Sequence, residues 1–281
     1  MNSRRDFLKA SGAFAFSAVW FPDLVKAAHR KSVKDVGLQL YTVRNDMLKD
    51  NVGTLKKIST LGYKEIESAG SQKGSYYGLK PSEMKKVCRD LGMTLRSGHV
   101  HYDKNWQQTV DDAAESGQQY LIVSVLPTNG QTVDNYKSVA DVFNKAAEVA
   151  KKSNIIFGYH NHDSEFDKDD GKVLYDVLLE NTDPDLVKME MDIGWVIVTG
   201  NDPLAYFAKY PGRFPLWHLK DMDLKARHSV EFGKGALDVK KMFENKKKSG
   251  MKYFFVEQEE YTGTAFECLK YNMDYLEKLK Y

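Results

Sequence analysis

The stretch VKMEMD at residues 187–192 is the strongest indication of the fold, because it is a β-strand pattern with two different faces. By alternation, Val and two Met side chains share one face, while Lys188, Glu190 and Asp192 share the other. A strand with apolar residues toward helices and polar residues toward a central axis is typical of a parallel barrel. Polar side chains on the inner face are costly to bury unless they are paired or bind a metal. We therefore expect a barrel with a functional site at its axis.

Seven further strand patterns flank this stretch, and helix patterns separate them. The eight strand patterns are GLQLYTV (37–43), YKEIES (63–68), LRSGHVH (95–101), YLIVSV (120–125), IIFGYHNH (155–162), VKMEMD (187–192), PLWHLKD (215–221) and YFFVEQE (253–259). An open doubly wound sheet would need a glycine-rich phosphate loop after its first strand, and YTVRNDM (41–47) has none. The sequence therefore predicts an α/β protein with a single (β/α)8 TIM barrel.

Metal-ligating residue types stand at the ends of the last four strand patterns, on the inward-facing parity: His160, Asp192, His218 and Glu257. A lone histidine on a strand is more often a hydrogen-bonded core residue than a ligand. Recurrence at four strand ends instead favours one metal site at the barrel mouth. Two imidazoles and two carboxylates suit Mn²⁺, Co²⁺ or Zn²⁺, with Mg²⁺ as a further candidate, better than Ca²⁺. We expect one such ion, which would polarise a sugar carbonyl and make the neighbouring proton acidic.

Other residues that end strands or begin the loops after them are candidates for substrate contacts, because active sites of this fold collect there. They are Tyr41, Glu67, His99, His162, Glu165 and Trp195. A structural role explains each of them equally well when it is taken alone. For proton transfer the candidates are His160, Glu257 and Lys220, the last of which follows His218 by two residues.

The N-terminus has the features of an export signal. The run SRRDFLK (3–9) fits the twin-arginine pattern, and a modestly apolar stretch follows at residues 10–21. That stretch is too short for a stable membrane anchor. We expect a signal peptide at residues 1–27, a barrel domain at residues 28–281, and a periplasmic location. The competing interpretation is an ordinary amphipathic helix with a chance Arg-Arg pair.

Net charge limits the kinds of partner that the chain is expected to bind, and the cysteine count limits its disulfides. Residues 1–27 hold four of the 41 Lys and Arg residues and two of the 39 Asp and Glu residues, which leaves 37 of each sign. A neutral body argues against a nucleic-acid partner. A small molecule and a second copy of the chain, forming a homodimer, are the partners expected. Cys88 and Cys268 are expected to be buried free thiols, although a single bridge between them stays open.

Five blocks carry a resemblance to a known family: GLQLYTVR (37–44), GYHNHDSEF (158–166), MEMDIGWV (189–196), KYPGRFPLWHLKDMD (209–223) and YFFVEQEEY (253–261). Together they resemble the sugar phosphate isomerase/epimerase family with its xylose isomerase-like barrel. The resemblance implies one divalent metal held at the ends of strands five to eight, by His160, Asp192, His218 and Glu257. It further implies an isomerase or epimerase that removes a proton next to a carbonyl and stabilises the resulting enediolate on the metal.

The chain departs from the family pattern at strand five. Ketose 3-epimerases have a glutamate where this chain has His160, and a histidine where it has Trp195. Epimerisation benefits from a base on each face of the enediolate, so this loss weakens that outcome. The residues leave open whether His160 or His162 is the ligand, and whether Glu165 or Lys220 moves protons.

Three other functions stay open at this stage. The strand-end pattern also resembles a branch with secreted proteins that cleave 3-keto-glycosides by elimination, which makes a lyase or hydrolase an alternative. A non-catalytic periplasmic sugar-binding protein is an alternative from another class. A DNA-repair endonuclease of the same barrel superfamily would need a basic groove, and the neutral body argues against it.

Overall fold

The computed structural model describes residues 31–281, and these residues form a closed barrel of eight parallel strands. The strands are β1 (Gly37–Gln39), β2 (Glu65–Ser68), β3 (Thr94–Val100), β4 (Tyr120–Val123), β5 (Ile156–His160), β6 (Val187–Asp192), β7 (Leu216–Leu219) and β8 (Tyr253–Val256). Sequence neighbours pair throughout, and β8 closes the ring against β1. The predicted α/β barrel is confirmed. The predicted signal peptide lies outside the described residues, so export stays a prediction.

Helices follow the strands and surround the barrel. They are α1 (Arg44–Lys49), α2 (Asn51–Thr60), α3 (Pro81–Asp90), α4 (Trp106–Ser116), α5 (Val133–Lys152), α6 (Leu174–Asn181), α7 (Ile193–Val198), α8 (Pro203–Lys209), α9 (Val239–Ser249) and α10 (Ala265–Lys278). Among residues 31–281, none of the helices combines the length and the apolar character needed to cross a membrane. The loops of these residues also contain two short hairpins, Lys168–Asp169 paired with Lys172–Val173 and Asp221–Asp223 paired with His228–Val230.

Local sequence sets the helix boundaries. Before α5, the Thr132 hydroxyl accepts a hydrogen bond from the N–H of Asn135. Before α10, Thr264 and Glu267 form a capping box, in which each side chain accepts the other residue's backbone N–H. Gly250 follows α9 with φ +83°, a left-handed conformation that ends a helix and favours glycine. These capping interactions define where the helices begin and end, and therefore where the loops that connect them to the strands lie.

The apolar core has two layers, one outside the barrel and one inside it. The outer layer lies between strands and helices and includes Phe143 on α5 packed against Phe157 on β5. The inner layer is a small separate cluster made of Tyr120, Ile122, Leu216 and Phe255. Leu216 precedes His218 by two residues on the same face, so this cluster closes the barrel below the strand ends. The polar side chains of the barrel mouth therefore lie on the C-terminal side of this cluster.

The first strand differs from its prediction. The pattern at residues 37–43 predicted one strand, but β1 ends at Gln39 and a 3₁₀ helix spans Leu40–Val43. The Gln39 side chain causes the change, because its Oε1 accepts the N–H of Tyr41 at 3.0 Å. As a result Tyr41 lies on the rim with 39% of its surface exposed, while Gln39 is fully buried.

Cys88 and Cys268 are both buried and do not form a disulfide.

Candidate metal centre

The four predicted ligands converge at the C-terminal ends of β5 to β8. Asp192 and His218 are direct partners in the β6–β7 register. Nε2 of His160 lies 3.0 Å from Nδ1 of His218 and 3.4 Å from Oδ2 of Asp192. Nδ1 of His218 lies 2.9 Å from Oε2 of Glu257. One ligand atom from each residue therefore falls within 4.8 Å of the others. We call these four residues the upper group.

Lys220, which directly follows β7, contacts the upper group. Its ammonium lies 2.9 Å from Asp192, 2.8 Å from Glu257 and 2.6 Å from Glu259, although the side chain is only 1% exposed. The same ammonium lies 5.2 Å from the centre of the Trp195 ring. Burial alone lowers the pKa of Lys220, but Asp192 and Glu257 raise it well above its usual value. Lys220 is thus a fixed cation beside the predicted ligands.

A second cluster lies on the other side of the His218 ring. Nε2 of His218 lies 2.6 Å from Oε2 of Glu67 and 3.3 Å from Oε2 of Glu190. His99 approaches the same oxygen of Glu190 at 2.6 Å. Gln39 donates a hydrogen bond to Glu67 at 2.9 Å. We call Glu67, His99, Glu190 and His218 the lower group.

Burial and neighbouring charges shift the pKa values of these residues in opposite directions. Burial lowers the pKa of His160 well below its usual value and that of His99 to about 4, so both rings are neutral, as metal ligands must be. Burial lowers the pKa of His218 too, but Glu190 and Glu257 raise it well above normal. Burial raises the pKa of Glu190 to about 7. For Glu257, the cations Lys220 and His218 outweigh burial and lower the pKa well below normal.

Buried carboxylates outnumber buried cations at this centre. The carboxylates are Glu67, Glu190, Asp192 and Glu257. In the part of the chain that the structure describes, the cationic partners within reach are Lys220 and the ring of His218. Uncompensated negative charge in a buried site is costly, so the arrangement favours an added cation. The donor set, imidazole nitrogen plus carboxylate oxygen, suits a borderline divalent ion.

A cavity of about 330 Å³ opens at the barrel mouth above these groups. Its lining includes Tyr41, His99, His101, Val125, His162, Glu257 and Glu259. The His162 ring lies 4.9 Å from the His160 ring and 6.4 Å from the half-buried Trp195 ring, measured between centres. The cavity size is within the range of small-molecule pockets. Tyr41, His99 and His162 are therefore placed to touch a ligand.

Two predicted sugar contacts lie elsewhere. Glu165 is buried, and its carboxylate accepts hydrogen bonds from the Tyr159 hydroxyl and, at 2.9 Å, from the backbone N–H of His162. Tyr159 faces the outer layer against Phe143, so Glu165 braces the loop after β5. Glu67 is fully buried in the lower group, and within the described chain it does not line the mouth cavity. Sugar contact by either residue stays a prediction.

Sequence reasoning placed Glu190 on the inner face but did not name it as a site residue. Glu259 and Gln39, which are not among the predicted site residues, also contact the centre. The alternation within VKMEMD was the available signal for Glu190. Its contact with His99 arises between β6 and β3, which no local pattern reveals.

Comparison with known proteins gives four informative similarities. The sequence profile described as xylose isomerase-like TIM barrel matches residues 55–279. A sugar phosphate isomerase/epimerase from Parabacteroides distasonis is 33% identical, with a TM-score of 0.78, over 88% of this chain and 99% of that one. An inosose dehydratase from Clostridium tetani is 34% identical over 91 residues, which span 32% of this chain and 30% of the dehydratase. The IolI protein, whose structure holds a zinc atom, has the same fold at 13% identity and a TM-score of 0.68.

Proposed function

The chain belongs to the xylose isomerase-like TIM barrel family, and from this premise we propose that it is a divalent-metal-dependent enzyme acting on a keto sugar. The reaction begins with removal of a proton next to the carbonyl. One observation carries the proposal: the upper group gathers two imidazoles and two carboxylates under an open cavity. The buried carboxylates of the upper and lower groups together outnumber their buried cationic partners. The similarity to an isomerase/epimerase and to a dehydratase supports a sugar-modifying enzyme.

In this proposal His160, Asp192, His218 and Glu257 hold the ion, with Mn²⁺, Co²⁺ or Zn²⁺ favoured over Mg²⁺. When bound, the ion would act as a Lewis acid and polarise the substrate carbonyl. His160 contributes a neutral ring and no proton transfer, because its nitrogen faces the other ligands. Tyr41, His99 and His162 line the cavity and would orient the sugar at the mouth. Sugar contact by Trp195, which lies beside Lys220, stays a prediction.

Proton transfer falls to residues that reach both the cavity and the charged cluster. Glu257 lines the cavity, and its Oε2 lies between His218 and Lys220. Its other carboxylate oxygen, Oε1, would accept the proton next to the carbonyl. Lys220 would hold the carboxylate in place and return a proton to the departing oxygen.

We propose elimination as the outcome, with isomerisation or epimerisation as the second candidate. Within residues 31–281, the carboxylates lining the cavity are Glu257 and Glu259, and both follow β8. A base on one side suits a single proton abstraction followed by loss of a leaving group. In a 3-keto-glycoside the C2–H bond breaks, a C1–C2 double bond forms, and the C1–O bond breaks to release the aglycone, whose oxygen is then protonated. A dehydratase expels water in the corresponding way, which the similarity to inosose dehydratase supports.

The export pattern at residues 3–9 extends the proposal to location. An enzyme in the periplasm would meet unphosphorylated glycosides, since phosphorylated sugars are chiefly cytoplasmic. The substrate would then be a keto-glycoside rather than a sugar phosphate.

Product analysis tests the outcome. Protein loaded with Mn²⁺, Co²⁺ or Zn²⁺ would be incubated with 3-keto-glycosides and with free ketoses, and the products separated by chromatography. Release of aglycone with an unsaturated keto sugar supports elimination, whereas an epimeric or isomeric ketose supports the second candidate. Unchanged substrates with all three ions, combined with measurable sugar binding, would favour a sugar-binding protein.

A further inference from the structure

The lower group has the composition and the spacing of a metal site of its own. Its four ligand atoms are Nε2 of His99, Nε2 of His218, and Oε2 of both Glu67 and Glu190. His99 lies 2.6 Å from Glu190 and 3.5 Å from Glu67. His218 lies 2.6 Å from Glu67 and 3.3 Å from Glu190. Each imidazole nitrogen thus approaches both carboxylates.

These distances match those between ligands around one small ion. With bonds of about 2.0–2.1 Å, neighbouring ligands on a tetrahedral ion lie about 3.3 Å apart. The lower group spans 2.6–3.5 Å, so a modest expansion of the two shortest contacts would admit an ion. The upper group, with separations of 2.9–3.9 Å, has a similar spacing.

Two buried oxygens point to a missing partner. Among the described residues 31–281, Oε1 of Glu67 and Oε1 of Glu190 find no hydrogen-bond partner, and both side chains are fully buried. Buried polar atoms are nearly always paired, so each orphan calls for an explanation. A cation held by these carboxylates would neutralise them and offset the cost of burying both oxygens.

The His218 ring joins the two groups. Its Nδ1 faces His160 and Glu257, and its Nε2 faces Glu67 and Glu190. Both ring nitrogens are therefore directed at a set of imidazole and carboxylate ligands. No other residue belongs to both groups within the described chain.

We propose that Glu67, His99, Glu190 and His218 bind a second divalent cation, and that the His218 ring bridges the two ions. The bridge rests on the proposed upper centre, because it requires that site to be occupied. Binding at both nitrogens displaces the ring protons of His218 to solvent. In the competing arrangement the lower group is only a hydrogen-bonded support that orients His218 toward a single ion.

Metal stoichiometry separates the two arrangements. Full-length protein would be dialysed to equilibrium against Co²⁺ and, separately, Zn²⁺, and the ions per chain measured by elemental analysis. The proposal expects two ions in the wild type and one in Glu190→Gln, which keeps the shape of the side chain. The matched control is Glu65→Gln, on the same strand as Glu67 but paired with Arg96 outside both groups; it should retain two.

The variant Asp192→Asn distinguishes this inference from the proposed function. It should lose the upper ion and keep the lower one. One ion in the wild type, unchanged in Glu190→Gln and lost in Asp192→Asn, would overturn the lower site and leave the upper centre intact. One ion that is lost in Glu190→Gln but kept in Asp192→Asn would support the lower site and overturn the bridge together with the upper centre.

A measurement on the wild type alone covers the case in which a variant fails to fold. Two Cu²⁺ ions joined through one imidazole couple magnetically, so the electron paramagnetic resonance signal should fall as the second equivalent of Cu²⁺ binds. A signal that rises in proportion to two equivalents would overturn the bridge. A signal that stops growing after one equivalent would overturn the second site.

Discussion

Nε2 of His218 lies 2.6 Å from Oε2 of Glu67, although β7 and β2 are not neighbours in the barrel. The contact fixes the orientation of the ring and directs Nδ1 toward His160 and Glu257. A carboxylate behind a metal-binding histidine typically strengthens metal affinity by about 10–100-fold.

Whether Glu67 holds the His218 ring directly or through an ion in the lower group, we expect Glu67→Gln to weaken Co²⁺ binding at the upper group by about 10–100-fold. Competition with a chelator of known affinity would measure the change, and Glu65→Gln would serve as the control. Equal affinity in the wild type and in Glu67→Gln would show that the contact does not support the metal centre.

Loss of a central ligand should remove metal and turnover together. Asp192→Ala deletes a carboxylate that contacts both His160 and Lys220. We expect no tightly bound ion at the upper group and no detectable product, while circular dichroism shows a folded barrel. Turnover that persists in the variant without an ion at the upper group would exclude a reaction that depends on that ion. If the wild type shows no turnover and Asp192→Ala binds the sugar as tightly as the wild type does, a non-catalytic binding protein is favoured instead.

Metal removal should lower the melting temperature, because the ion relieves repulsion among buried carboxylates. An ion present at 100 times its Kd contributes about 2.7 kcal/mol to the free energy of unfolding. Thermal unfolding with and without a chelator, followed by addition of Co²⁺, would measure the effect. The expected result is a lower melting temperature after chelation and recovery with the ion. A melting temperature insensitive to both treatments would contradict binding to the folded state.

The inner face near the metal centre depends on space left by a glycine. A Cβ atom at Gly158 would lie 2.6 Å from Cδ1 of Ile122 and 3.2 Å from the backbone oxygen of Lys188. We expect Gly158→Ala to reduce the free energy of unfolding by about 1–3 kcal/mol, the usual cost of overpacking. Ile122→Val removes the nearest atom, so the double variant should recover part of the loss. Urea denaturation would measure both, and full stability in Gly158→Ala would refute the close packing.

Much of the site follows from local patterns, because alternation and strand ends are local properties. VKMEMD placed Glu190 and Asp192 on one face, and the strand ends brought His160, His218 and Glu257 to the same mouth. These relations need only the parity of each strand and the order of a closed barrel.

Contacts that depend on side-chain reach or on loop shape were not predictable in this way. Glu165 follows β5 closely in sequence, yet its carboxylate turns to the outward-facing Tyr159. The lower group needs β2, β3, β6 and β7 to close around a common axis, so Glu67 and Glu190 became neighbours of His218 only in three dimensions. Gln39 ended β1 early because its side chain caps the following turn.

The most direct test of the account is hydrogen exchange into a substrate. A 3-keto-glycoside would be incubated in D₂O with ion-free protein and with protein loaded with Co²⁺, and followed by nuclear magnetic resonance. We expect deuterium in the recovered substrate at a carbon next to the carbonyl, or in the product with release of the aglycone, only with the metal-loaded protein. Substrate that stays fully protonated and intact with the metal-loaded protein, or exchange that is equally fast without the ion, would contradict metal-dependent proton abstraction.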